Sequence, residues 1–111
     1  MEVDVMIDEP QPRDPRRDER EHAWIGDAVL GLFARRWILA REGKMDAEMF
    51  ARMSSNQFLS ALGQPTAVEA QIGRCFEADG LEAAFAHIES HLIPLFLKQE
   101  KKRIRQAGGR K

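Results

Sequence analysis

Two carboxylates stand in places where an acid could do chemistry. Asp27 is set into the most apolar stretch of the chain, His22 to Leu39 (HAWIGDAVLGLFARRWIL), and Glu69 lies in a second helical stretch some forty residues later. An acid beside an apolar face either points to solvent or serves a buried partner such as a metal ion. Glu69 follows Thr66 by three residues, the spacing of a capping box in which it would reach back to the Thr66 N–H. The sharper reading takes the two acids as a pair. Hydrolysis of a phosphodiester with Mg²⁺ needs hard oxygen ligands on a rigid scaffold, with the remaining positions left to water and a substrate phosphate. Two carboxylates from two packed helices would meet that need.

The other chemically capable residues have plainer readings. His22, His87 and His91 have no zinc-ligand spacing with the lone Cys75, and read as structural or exposed side chains. Cys75 reads as a small buried apolar residue that has no internal disulfide partner. Arg35, Arg36 and Arg41 sit near the end of the apolar helix, where cations suit the helix dipole as well as they would suit phosphates. Lys98, Lys101, Lys102, Arg103, Arg105, Arg110 and Lys111 come without interleaved aromatics. They suit either sequence-independent contact with a nucleic-acid backbone or mere solubility.

These residues must be positioned by helices. In His22 to Leu39, Trp24, Ile25, Ala28, Val29, Leu32, Phe33, Trp37 and Leu39 occupy more than one helical face, which predicts a central helix running to about Arg41, with Gly43 as its left-handed cap. Gly26 and Gly31 each cost roughly 1 kcal/mol against Ala inside a helix, and imply close approach of another backbone. Asp46 caps a short helix with Met49, Phe50 and Met53 inward, the methionines as core filler. Ser54 and Gln57 form a capping box for the next helix, which Gly63 ends. Pro65 and Thr66 open a helix closed by Asp79-Gly80. A last helix from Leu81 buries Leu81, Ala84, Phe85, Ile88 and Leu92, and Pro94 kinks or breaks it. No strand pattern and no repeat occurs.

Composition sets the outer limits. The chain has 111 residues, 43% hydrophobic and 32% charged, with two Trp and six Phe, enough for one small globular domain with a modest core. No apolar run approaches the roughly 18 residues of a membrane span, and the cytoplasm is the expected compartment. Charge is uneven. Residues 1–20 carry seven acids against four bases, a net of −3, and residues 96–111 carry seven bases against one acid, a net of +6. The expected organisation is a flexible charged arm over 1–20, a helical domain over 21–97 and a basic C-terminal tail over 98–111.

WIGDAVLGLF resembles the signature helix of the ribonuclease III domain, and AVEAQIGRCFEADGLEAAFAHIESHLIPLF, Ala67 to Phe96, resembles that domain's second conserved block. RMSSNQFLSALG, Arg52 to Gly63, resembles the helix between them, so the likeness covers Glu21 to Phe96. The resemblance implies an all-α, ribonuclease III-like domain, shortened and homodimeric through the core helix. It maps the family's catalytic, metal-binding acids onto Asp27 and Glu69, with Mg²⁺ as cofactor, Mn²⁺ as an alternative and double-stranded RNA as substrate. The fuller pattern has two further acids at positions held here by Ala23 and Thr66. The Mini-ribonuclease III branch is similar to this chain at those positions. Only Gln64 and Pro65 separate Gly63 from Thr66, where the family has a further helix and an RNA-touching basic loop.

The leading expectation is a Mg²⁺-dependent endoribonuclease of RNA or ribosomal-RNA maturation, with Lys98, Lys101, Lys102, Arg103 and Arg105 as candidate RNA contacts. The alternatives are a non-catalytic descendant that binds RNA or ribosomes, and a helical interaction module without an RNA role. Trp24, Leu32, Phe33 and Trp37, spread around one helix, offer more apolar surface than so few helices can cover, which predicts a homodimer.

Overall fold

The computed structural model describes residues 14–108. Six helices follow in order, α1 (Pro15–Glu42), α2 (Ala47–Met53), α3 (Asn56–Ser60), α4 (Pro65–Asp79), α5 (Leu81–His91) and α6 (Ile93–Gly108), with no strand among the described residues. The fold is all-α, as expected, and no helix among these residues is long and apolar enough to cross a membrane.

α1 starts earlier than the hydrophobic pattern suggests. The Asp14 side chain accepts from the Arg16 N–H, Pro15 takes the first helical position, and an Arg17–Glu21 ion pair at 2.9 Å bridges the first turns. Residues 15–20, expected to belong to a flexible arm, are therefore two turns of α1; the rest of that arm, 1–13, lies outside the described residues. At the other end Gly43 takes φ 75° and its N–H reaches the Leu39 carbonyl, the left-handed cap expected there.

The core forms where α1 meets the other helices. Leu30, Ala34, Met53, Leu59, Ile72, Ala84 and Ile88 are fully enclosed, and edge-on ring pairs Phe33–Phe85, Trp37–Phe96 and Phe58–Phe96 join α1, α3, α5 and α6. Phe33 and Trp37 are thus taken up by the chain's own core. What remains outside on α1 is Trp24, 78% exposed, with Leu32 at 41% and Leu39 at 48%. The described residues extend over 68 × 26 × 21 Å with a radius of gyration of 17.6 Å, against about 13 Å for a close-packed chain of this length.

α4 lies against α1 backbone to backbone. A Cβ on Gly26 would collide with the Glu69 carbonyl, and one on Gly73 with the His22 carbonyl, so neither position admits a side chain. The expectation of close backbone approach holds for Gly26 and fails for Gly31, where an added Cβ would meet no other backbone and only the Arg35 guanidinium of its own helix, 3.1 Å away.

Two caps differ from the sequence reading by a residue or two. Ser55, not Ser54, caps α3 by accepting from the Phe58 N–H, and Gln64, not Thr66, caps α4 by accepting from the Ala67 N–H. With Pro65 as the first residue of α4, Glu69 sits too deep in the helix to serve as the cap's reciprocal partner. Asp46 caps α2 and Gly80, at φ 97°, turns α4 into α5, as expected.

α5 ends at His91 and α6 begins at Ile93, the break that Pro94 demands. Residues 98–108, expected to be a tail, continue α6 without interruption. The Arg52 guanidinium donates to both Glu100 oxygens, at 2.7 and 2.9 Å, which fastens the helix to α2 beyond its last buried ring, Phe96.

Candidate functional site

Gly26 and Asp27 are neighbours on α1, and the backbone that packs on Gly26 is that of Glu69. The glycine contact therefore delivers Glu69 of α4 to the side of Asp27 of α1. Asp27 is exposed and Glu69 half-buried. Burial, then a hydrogen bond shared with Asp27, then the Asp27 charge push the Glu69 carboxyl up to about 7. Near neutral pH the Glu69 carboxyl is therefore partly protonated.

The pair lies on one wall of an open cleft of about 740 Å³. Ala23 and Thr66 line the same cleft, so the four positions that the resemblance associates with acids converge in space, two as carboxylates, one as a methyl and one as a hydroxyl. Arg17, Arg20 and Trp24 form the remainder with Glu21, which is ion-paired to Arg17. Asp18 meets His22 of its own helix at 3.4 Å and Arg74 of α4 at 3.6 Å, the latter a second tie between the two helices.

Arg17 and Arg20 are site-lining residues that sequence reasoning missed. They precede Trp24 and Asp27 at helical intervals, 17, 20, 24 and 27, a register visible only if the helix begins at Pro15. Arg35, Arg36 and Arg41 lie elsewhere, over the rings of Phe50, Phe85 and Trp37 respectively, where they pack on aromatic faces.

Other clusters are less developed. His87 and His91 stack with ring centroids 4.3 Å apart, and burial followed by the His91 charge hold His87 below its ordinary value. Among the described residues no three His, Cys, Asp or Glu side chains come together as a metal cage. The Asp27–Glu69 pair is accordingly a two-carboxylate arrangement. Two neighbouring acids, one of them held partly protonated, suit a divalent cation that displaces the proton, and Mg²⁺ is commonly held by one or two carboxylates with water and phosphate oxygens completing its shell.

Lys98, Lys101, Lys102 and Arg105 are exposed on α6, whereas Arg103 approaches Glu100 at 3.6 Å. Phe96, at the base of this segment, packs on Trp37, ten residues or about 15 Å along α1 from Asp27. Arg110 and Lys111 lie outside the described residues.

No protein-family model matches the chain, and neither the curated proteins nor the solved structures contain a significant match.

Proposed function

We propose that this chain is a Mg²⁺-dependent endoribonuclease of ribonuclease III type that cuts double-stranded RNA in RNA maturation in the cytoplasm, as a homodimer through α1. The observation that carries the reading is the convergence of Asp27, Glu69, Ala23 and Thr66 on one cleft, with the two acids close enough to share a hydrogen bond. Asp27 and Glu69 would hold Mg²⁺, or Mn²⁺ in its place; when bound, such an ion polarises the scissile phosphate and lowers the pKa of a coordinated water. The chain's own contribution is positioning. Gly26 lets the α4 backbone at Glu69 pack beside Asp27, and Arg17 and Arg20 line the same cleft, where the substrate backbone would lie. The uncovered stripe of Trp24, Leu32 and Leu39 on α1 supports a second copy as partner.

A second reading, a catalytically degenerate ribonuclease III-fold protein that binds RNA or ribosomes, is favoured by the methyl of Ala23 and the hydroxyl of Thr66 where the fuller pattern has acids. Incubating the pure protein with duplex RNA, with and without Mg²⁺, separates the two. Fragments that need the metal support the enzyme, retardation without cutting supports the binder, and the absence of both overturns each.

A further inference from the structure

We infer that α6 carries a phosphate-binding face, separate from the acidic cleft, that grips the backbone of a nucleic-acid duplex without any metal. At 3.6 residues per turn, Lys98, Lys101, Lys102 and Arg105 fall within an arc of about 100°, and all four are exposed. None of them is ion-paired to an acid among the described residues. The opposite side of the helix holds Ile93 and Phe96, both buried, and Glu100, which Arg52 clamps. Core contacts and the clamp thus fix the helix in rotation, and its four cations point to one side.

Charge and surface together select the partner. An amphipathic helix that enters a lipid surface needs a broad free apolar face, but here the apolar side of α6 is spent on the core, with Ile104 the exposed large apolar residue on this helix. A cationic stripe without aromatics cannot stack on unpaired bases and fits a regular phosphate backbone. The stripe runs about 10 Å along the helix axis, enough for its long side chains to meet several successive phosphates. Arg103 lies off the stripe and is drawn to Glu100, so it takes no part.

The test is electrophoretic retardation of a short blunt-ended RNA duplex in EDTA, repeated over a salt series. The full-length protein is expected to bind, with log affinity falling steeply against log salt. Replacing Lys98, Lys101, Lys102 and Arg105 with Ala is expected to weaken binding about tenfold or more and to flatten the slope by roughly 0.9 per lost contact. Arg103→Ala is expected to bind as the wild type does, and in EDTA this pattern holds whether or not the cleft cleaves RNA. All four stripe residues are exposed, so an unchanged circular dichroism melt serves as the folding control. Equal binding by the fourfold variant, equal loss from Arg103→Ala, or binding to phosphatidylserine vesicles in preference to the duplex would each overturn the inference.

Discussion

The backbone carbonyl of Glu69 rests against Gly26, and through that contact the Glu69 carboxyl shares a hydrogen bond with Asp27. The approach of the two backbones that carry the acids is therefore set by main chain on both sides.

One consequence is a pH dependence of stability. In the unfolded chain Glu69 loses its proton near its ordinary value of 4.5, and in the folded chain near 7. Between those values the folded state holds the extra proton, so stability falls as pH rises from about 4.5 to 7 and levels off above. Glu69→Gln is expected to remove that decline. Melting temperatures should show the variant gaining on the wild type at pH 8 relative to pH 4; a constant difference across the range would contradict the shared proton.

Gly73→Ala should be among the most damaging conservative changes in the chain, since its Cβ would meet the His22 carbonyl and the packed helices have no slack. A loss of about 3 kcal/mol is expected from such overpacking. Gly31→Ala is the contrast. Its Cβ meets the movable end of Arg35, so helix propensity should leave it neutral or up to about 1 kcal/mol more stable. Urea denaturation of the two variants measures both.

The cap of α4 yields a prediction opposite to the one its sequence invites. Gln64→Ala removes the side chain that receives the Ala67 N–H and should cost about 1 kcal/mol, while Thr66→Ala, which loses no cap, should leave the melting temperature close to wild type. Thermal melts of the pair decide it.

The proposed dimer rests on the exposed stripe of α1. Light scattering at micromolar concentration is expected to give a dimer for the wild type and a monomer for Leu32→Glu, Leu39→Glu, which places charge on two exposed apolar positions. A monomeric wild type would remove the two-fold arrangement from the proposed function.

Much of this fold was legible because its determinants are local. The inward residues of α2 and α5, the Gly43 cap and the Pro94 break each follow from a few neighbouring side chains. The start of α1 was hidden because Pro15 to Arg20 has almost no apolar residue; the Asp14 cap and the ion pairs that hold it leave no hydrophobic period. That blind spot concealed Arg17 and Arg20 as cleft residues. The helical course of 98–108 was masked in the same way, because its anchor is the long-range pair Arg52–Glu100. Gly73 offers no sequence signal beyond being a glycine in a helix, and its role appears only with His22 in place across from it. The pairing of Asp27 with Glu69 came from resemblance; spacing alone left Glu69 as a capping residue.

The central claim is that Asp27 and Glu69 act together on RNA through a metal ion, and the most direct measurement is the rate at which wild type and Glu69→Gln cut a duplex RNA in Mg²⁺. The account predicts metal-dependent fragments from the wild type and at least a hundredfold loss in Glu69→Gln, roughly 3 kcal/mol of transition-state stabilisation, with the fold intact by circular dichroism. Cleavage by Glu69→Gln at the wild-type rate would contradict it.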